Sequence, residues 1–198
     1  MELPMIDWTP LNALIVVDCQ NDFADPEGSL FVPGGEAVIG AVNEAISAAL
    51  EAGSPVFYTQ DWHPERTAHF KKYGGIWPVH CVAGTWGAEF HPALVKAGKV
   101  VRKGANGEDG YSGFTMRDPV AGTEVATELE TLMREAKVES VVVAGLALDY
   151  CVKATAVDAA RLGYRTLVPL RLTAAVEIAP GDGDAAVAEI RESGAEVT

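Results

Sequence analysis

Short, uninterrupted apolar runs alternate with segments of helical periodicity along this chain of 198 residues. The first run, residues 13–17, contains no polar side chain, which is typical of a strand buried on both faces. Further strands are predicted at residues 55–59, 99–102, 141–144 and 166–168. Because strands and helices alternate, the sequence predicts an α/β fold. We expect a single domain over residues 1–198 with a doubly wound, mostly parallel sheet and helices on both faces.

Apolar residues at helical spacing fill most of the segments between these strands. They predict helices over residues 38–49 and 125–136, a third helix that begins near residue 152 and stops at Gly163, and a last one over residues 184–194. Gly53 is expected just beyond the end of the first helix, and Thr123 is expected to cap the start of the second. Residues 60–98 show no long helix or strand, yet they hold three of the chain's four tryptophans. A loop of that size and composition is more typical of a functional segment than of a disordered one.

The charge balance argues against several classes of partner. Lys and Arg number 15 against 28 Asp and Glu, a formal net charge of -13. Such a chain is repelled by nucleic-acid phosphates and by anionic membranes, so we expect neither as a partner. The N-terminal residues lack the pattern of a signal peptide, and the apolar run at 141–148 is too short to span a bilayer. We therefore expect a cytoplasmic protein whose three cysteines need not form disulfides, with a homo-oligomer left open.

Reactive or ionisable side chains follow four successive predicted strands. Asp18, Asp61 and Lys103 follow the first three, and a turn after the fourth leads to Cys151. Since ligands of open α/β sheets bind at the carboxyl ends of the strands, these side chains are expected to meet in one crevice. The start of a helix lowers the pKa of a thiol, so Cys151 is a candidate nucleophile as well as a candidate buried structural cysteine. Asp18 could accept its proton and Lys103 could support both groups, although the two could also form an ordinary ion pair.

A second group of residues has the composition of a metal site. His63, His69 and His80 lie within an 18-residue span that begins two positions after Asp61. Imidazole and carboxylate ligands together suit one divalent transition metal ion, zinc or iron, with manganese as an alternative. The alternative interpretation is a solvated cluster in a surface loop.

Other residues of these segments have weaker signals. Phe23 and Trp77 could form the walls of a pocket for a flat aromatic substrate. Cys19 has no necessary role and is expected to point away from Asp18, because successive residues of a strand face opposite sides. Cys81 could be a further metal ligand, and His91 is interpreted as structural.

Six short motifs occur in order along the chain. They are residues 18–23 (DCQNDF), 61–64 (DWHP), 77–81 (WPVHC), 102–104 (RKG), 111–114 (YSGF) and 149–152 (DYCV). Together they resemble the nicotinamidase/pyrazinamidase family of the isochorismatase-like cysteine hydrolase superfamily, from about residue 12 to the end. The resemblance implies an amidohydrolase that converts nicotinamide, and with it pyrazinamide, to nicotinate and ammonia in NAD salvage.

The resemblance also implies roles for the residues at the strand ends. Cys151 would be the nucleophile of a thioester route, Asp18 its general base and acid, and Lys103 their electrostatic partner. The backbone amides of Ala147 and Cys151 would form the oxyanion hole, and the peptide bond before Ala147 would be cis. Relatives usually have Thr where this chain has Leu148, a difference that could loosen the turn or shift substrate preference.

A ligand set and a substrate pocket follow from the same resemblance. The matching metal ligands are Asp61, His63 and His80, with His69 at a position that supplies a further ligand in some members. Phe23 and Trp77 match residues that flank the pyridine ring, whose nitrogen would coordinate the metal.

Two alternatives to this activity are weighed against the same residues. Other small-amide hydrolases of the superfamily, of the carbamoylsarcosine or ureidoacrylate type, lack the Asp-x-His…His cluster, and isochorismatases lack the cysteine. A catalytically silent, metal-binding member would be expected to have lost Cys151, Asp18 or Lys103, and this chain retains all three.

Overall fold

A parallel sheet built on the apolar runs forms the centre of the computed structural model, which describes residues 6–198. The strands are β1 (Asn12–Val17), β2 (Val56–Asp61), β3 (Lys99–Lys103), β4 (Thr115–Arg117), β5 (Glu124–Ala126), β6 (Ser140–Leu146), β7 (Arg165–Val168), β8 (Thr173–Ala174) and β9 (Glu196–Val197). Six of them run in the order β3-β2-β1-β6-β7-β9, and β8 pairs with β6. Every pairing in this sheet is parallel, which confirms the predicted fold class.

The order of the strands reverses between β1 and β6. From β1 the chain winds outward through β2 to β3, and it then returns to β6 on the other side of β1. Val17 is in register with Gly145, and Asp61 is in register with Lys103. The residues that follow these strands therefore lie at one edge of the sheet, at the switch point where open α/β sheets bind ligands.

Helices cover both faces of the sheet. They are α1 (Asn21–Ala24), α2 (Gly35–Glu51), α3 (Leu129–Glu135), α4 (Lys153–Arg161) and α5 (Asp182–Glu192), with a π-helix at Leu148–Val152 directly before α4. Alternate residues of β1 divide between two apolar clusters. Leu14 and Val16 pack with α2, whereas Ile15 and Val17 pack with α3, α4 and α5. Burial on both faces explains why β1 is an uninterrupted apolar run.

The helix predicted over residues 125–136 is wrong at its start. Val125 lies in β5, opposite Met116 of β4, in a small antiparallel hairpin, and α3 begins only at Leu129. Thr123 caps no helix, and its carbonyl accepts a hydrogen bond from the Asp118 amide within the hairpin turn. A short apolar segment fits a helix or a strand by spacing alone, and here pairing with a neighbouring segment decides the outcome.

Other boundaries differ by a few residues. Gly53 follows α2 as predicted, with a positive φ of 75°. Val152 belongs to the π-helix rather than to α4, and α5 begins at Asp182, two residues before its predicted start. Within residues 6–198, no helix is both long and apolar enough to cross a membrane.

The segment between β2 and β3 is ordered by buried polar side chains of the DCQNDF motif. Its helical structure is limited to two 3-10 turns, Lys71–Tyr73 and Trp86–Ala88. The side-chain amide of Gln20 donates to the carbonyls of Asp61 and Ala88 and accepts from the Asp61 amide. The Asp22 carboxylate accepts the backbone amides of Ser29 and Cys81. These bonds fix the segment against the ends of β1 and β2, next to the switch point.

Candidate active site

Asp18, Lys103 and Cys151 meet at the switch point, as their places in the sequence predict. Asp18 follows β1 with a φ of 46°, Lys103 is the last residue of β3, and Cys151 lies in the π-helix after β6. Lys103 Nζ lies 2.8 Å from Asp18 Oδ2 and 3.6 Å from Cys151 Sγ. All three side chains are buried. The structure therefore contains a thiol, an ammonium and a carboxylate in direct proximity.

A second carboxylate shares the Lys103 ammonium. Asp61 Oδ1 lies 2.7 Å from Lys103 Nζ, and the carbonyl of Tyr111 accepts a hydrogen bond from the same nitrogen. Burial alone would lower the pKa of Lys103, but the two carboxylates hold it well above its usual value. Lys103 is therefore a permanent cation at neutral pH.

The two carboxylates have different protonation behaviour. Burial raises the pKa of Asp18 and outweighs the attraction of Lys103. For Asp61, Lys103 together with the neighbouring histidines overcomes the effect of burial and holds the pKa well below its usual value. Asp61 thus stays ionised, while Asp18 is the carboxylate suited to accept a proton.

The pKa of the Cys151 thiol is shifted in the direction opposite to the one predicted. The start of a helix was expected to lower its pKa, but burial raises that pKa well above the ordinary value, and Lys103 only partly opposes the rise. Nearby Asp18 and Asp61 raise it further, because their negative charges disfavour a thiolate. The thiol of the resting protein is consequently protonated, and it needs a base. Oxygens of Asp18 and Asp61 lie within 4.8 Å of its sulfur, and Asp18 is the carboxylate able to take the proton.

The three predicted histidines also come together. One ring nitrogen each from His63, His69 and His80 lies within 4.8 Å of the others, and all three rings are buried. His69 Nδ1 is 2.6 Å from a carboxylate oxygen of Asp109, and His80 Nδ1 is 2.7 Å from the carbonyl of Pro78. Because both partners are acceptors, each Nδ1 is the donor, and in the neutral ring the lone pair is on Nε2.

These residues fit a divalent metal ion. Within residues 6–198, neither ring nitrogen of His63 has a hydrogen-bond partner, although buried polar atoms are normally paired. Burial lowers the pKa of His80 to about 4, so that ring is neutral and able to act as a ligand. Asp61 Oδ2 lies 3.7 Å from His63 Nε2, which adds a carboxylate beside the three imidazoles. Such a donor set suits zinc or another borderline metal.

A small cavity connects the thiol with the histidines. Its lining residues are Phe23, Leu30, Asp61, His69, Trp77, His80, Tyr111, Ala147, Tyr150, Cys151 and Val176. Phe23 and Trp77, the residues predicted to flank a flat substrate, are both buried in its walls. The rings of Trp77 and Tyr150 meet edge to face with centroids 4.7 Å apart. The walls of the cavity are thus largely aromatic, and its polar residues are Cys151, Asp61, His69, His80 and the two tyrosines.

Several residues of the site were not predicted. Tyr111 accepts a hydrogen bond from Trp77 Nε1 at 3.0 Å through its hydroxyl, although the sequence assigned it no role. Its position in the YSGF motif was the available signal. Leu30 and Val176 line the cavity from distant parts of the chain. No local sequence pattern indicates the contact between Asp109 and His69, because the two residues lie 40 positions apart.

The turn that leads to Cys151 contains the expected backbone feature. The Leu146–Ala147 peptide bond is cis, as the resemblance implies, and Ala147 lines the cavity. Leu148 points into the apolar cluster on the α4 face together with Phe114 and Val152.

Cys19, Cys81 and His91, to which the sequence assigns weaker roles or none, do not line the cavity. Within residues 6–198, Cys19, Cys81 and Cys151 are all free thiols. Cys19 packs into the apolar cluster on the α2 side, and Cys81 Sγ contacts the carbonyl of Gly87 rather than the histidines. His91 lies 4.0 Å from Asp25 and does not reach the cavity.

Comparison with known proteins agrees with this geometry. A family model described as the Isochorismatase domain matches residues 12–198. The chain belongs to the isochorismatase family. The chain is 40% identical to the nicotinamidase/pyrazinamidase of Mycobacterium tuberculosis over an alignment of 187 residues, which covers 92% of this chain and 94% of that protein.

Two solved structures resemble this isochorismatase-family chain over nearly their whole lengths. PnC1 from L. infantum in complex with nicotinate superposes with a TM-score of 0.87 at 36% identity, covering 98% of this chain and 95% of that one. Pyrazinamidase of Pyrococcus horikoshii in complex with zinc has a TM-score of 0.85 at 36% identity, covering 96% of this chain and 99% of that one. These similarities extend the family assignment to the fold as a whole.

Proposed function

We propose that this chain is a nicotinamidase, which hydrolyses nicotinamide, and pyrazinamide as well, to the carboxylic acid and ammonia. One observation carries the proposal: a single aromatic-walled cavity is lined both by Cys151 and by His69 and His80 of the histidine cluster. The relative named nicotinamidase/pyrazinamidase and the neighbour in complex with nicotinate support this substrate class. The reaction consumes one water and one amide and yields one acid and one ammonia.

The first half of the reaction forms a thioester. Asp18 takes the proton from Cys151, and the sulfur attacks the carboxamide carbon, so that a C–S bond forms and the carbonyl oxygen becomes negative. The backbone amides of Ala147 and Cys151 are the proposed donors to this oxyanion. The C–N bond then breaks, and Asp18 delivers its proton to the departing nitrogen, which leaves as ammonia. Asp18 suits both steps because burial raises its pKa.

The second half releases the acid. Asp18, again a carboxylate, removes a proton from a water molecule that attacks the thioester carbon. The C–S bond breaks, the sulfur regains a proton, and the carboxylic acid leaves the cavity. Lys103 holds Asp18 in position throughout and offsets the negative charge of the carboxylates beside the sulfur.

The histidine cluster gives the pocket its preference for a nitrogen-containing ring. The proposed ligands are Asp61, His63, His69 and His80. When bound there, a divalent ion, zinc or iron with manganese as an alternative, supplies a Lewis-acid position for the ring nitrogen. Phe23 and Trp77 contact the two faces of the ring, and this placement directs the carboxamide toward Cys151.

The proposed setting is NAD salvage in the cytoplasm by one domain that spans the chain. The free cysteines of the described residues are in keeping with a reducing compartment. The net charge of -13 argues against nucleic-acid and membrane partners. The partner is then the small-molecule amide itself, with the oligomeric state open.

Ammonia release from a panel of amides tests this function. Nicotinamide and pyrazinamide should be hydrolysed, whereas benzamide, which has the same shape without a ring nitrogen, should react far more slowly. Treatment with a chelator should lower the rate on nicotinamide, and added zinc should restore it. A preference for non-aromatic amides would instead favour another amide hydrolase of the superfamily. No ammonia from any amide, with metal bound, would favour a silent metal-binding protein.

A further inference from the structure

Asp109, which is not one of the predicted metal ligands, contacts the histidine cluster through His69. Its Oδ1 lies 2.6 Å from His69 Nδ1, and the same oxygen accepts the backbone amide of Gly110 at 2.9 Å. The backbone of Asp109 exchanges hydrogen bonds with Arg117 of β4, so the residue is fixed by the hairpin. Asp109 is thus a carboxylate in a defined place on the outer side of His69.

The contact determines which nitrogen of His69 can bind a metal. An ionised carboxylate only accepts hydrogen bonds, so Nδ1 must carry a proton, and in the neutral ring Nε2 is then the nitrogen with the lone pair. Nε2 is then the nitrogen of His69 that could bind the same metal ion as His63 and His80. For His80, the carbonyl of Pro78 has the same effect. A carboxylate partner also makes an imidazole a stronger electron donor to a metal.

We propose that Asp109 is the positioning residue of His69 and that it makes His69 a full metal ligand in this chain. This inference rests on the metal site of the proposed function. Asp109 would hold one tautomer and one ring orientation of His69, which raises the affinity of the site for a divalent ion. An ion pair of purely structural value is a poor alternative, because the Asp109 carboxylate is 54% exposed and water can solvate it when its contact with the buried His69 ring is lost.

Zinc affinity of the metal-free protein, measured by competition with a chromophoric chelator, tests the proposal without reference to activity. Asp109→Ala should weaken zinc binding about 10–100-fold, the usual range for loss of such a partner. Asp109→Asn keeps an oxygen acceptor but loses the charge, so it should fall between the wild type and Asp109→Ala. The control is Glu124→Gln, which removes an exposed acid from the same hairpin and should bind zinc as the wild type does.

A double-mutant cycle separates positioning from a general electrostatic or structural effect. Once His69 is replaced by Ala, Asp109 has no ligand to hold, so adding Asp109→Ala should weaken zinc binding little further. Equal losses in the presence and absence of His69 would overturn the proposal, as would wild-type affinity in Asp109→Ala. If the wild-type protein itself bound no zinc, the proposed metal site would fail first, and that result is distinct from the other two.

Discussion

The ammonium nitrogen of Lys103 lies 3.6 Å from the sulfur of Cys151, in a crevice where both side chains are buried. The same nitrogen is 2.8 Å from Asp18 and 2.7 Å from Asp61. One cation therefore serves two buried carboxylates and a thiol. Because a buried charge is costly when it loses its partner, Lys103 should matter for stability as well as for catalysis.

Replacing Lys103 by Met tests both consequences. The substitution keeps an unbranched side chain, one atom shorter than that of lysine, but leaves Asp18 and Asp61 without their shared cation. We expect nicotinamide hydrolysis to fall to the uncatalysed rate and the free energy of unfolding of the metal-free protein to fall by about 3–5 kcal/mol. Urea denaturation and ammonia release measure the two effects.

Two further variants control this prediction. Lys99→Met removes an exposed lysine from the same strand, β3, and should change neither property much. Adding Asp18→Asn to Lys103→Met removes one unpaired carboxylate, so stability should partly recover while activity stays absent. Substantial hydrolysis by Lys103→Met would contradict the proposed role of the lysine.

Gly145 is a position where the sheet admits no side chain. It has a φ of 110°, and a Cβ atom there would lie 2.1 Å from the carbonyl oxygen of Val17 on the neighbouring strand. Gly145→Ala should lower the free energy of unfolding by more than about 2 kcal/mol, because the backbone conformation is unfavourable and β1 and β6 must separate. Urea denaturation measures the change.

The matched control lies in α2. A Cβ atom at Gly40 would meet nothing within 4 Å, so Gly40→Ala should stabilise the protein by about 0.5–1 kcal/mol. If the two substitutions had similar effects, the close approach of β1 and β6 at Val17 would be contradicted.

Tyr111 is predicted to affect substrate binding more than turnover. Its hydroxyl accepts the hydrogen bond of Trp77, while its backbone carbonyl accepts the bond from Lys103. Tyr111→Phe removes only the first of these, worth about 0.5–1.5 kcal/mol. We expect KM for nicotinamide to rise by up to about tenfold with kcat nearly unchanged.

Steady-state kinetics on nicotinamide checks this division. Tyr73→Phe, a tyrosine outside the cavity lining, is the control and should behave as the wild type. A large loss of kcat in Tyr111→Phe would show that the ring orientation of Trp77 is needed for the chemical steps rather than for binding.

Local sequence patterns predicted the sheet and the strand-end residues well. A run such as residues 13–17 is buried on both faces wherever it pairs, and the residue after it must emerge at the edge of the sheet. Asp18, Asp61 and Lys103 were therefore predictable as neighbours. Their contacts follow from parallel register, which places Asp61 beside Lys103.

Features that depend on distant parts of the chain could not be predicted in this way. Val125 is a strand residue because it pairs with Met116. The thiol pKa of Cys151 is set by burial and by carboxylates from other strands, which outweigh the start of its own helix. Asp109 meets His69 across a loop whose course has no sequence periodicity.

Ammonia release from nicotinamide by Cys151→Ala, beside the wild type and Cys19→Ala, tests whether the Cys151 thiol is the nucleophile. Cys19 is equally buried but lies in the apolar cluster on the α2 side, so its replacement controls for loss of a buried thiol. Circular dichroism and thermal melting should show all three proteins folded. We predict that the wild type and Cys19→Ala hydrolyse nicotinamide and that Cys151→Ala does so only at the uncatalysed rate. Continued hydrolysis by folded Cys151→Ala would contradict the thioester route, and a folded, metal-loaded wild type that releases no ammonia would contradict the proposed activity itself.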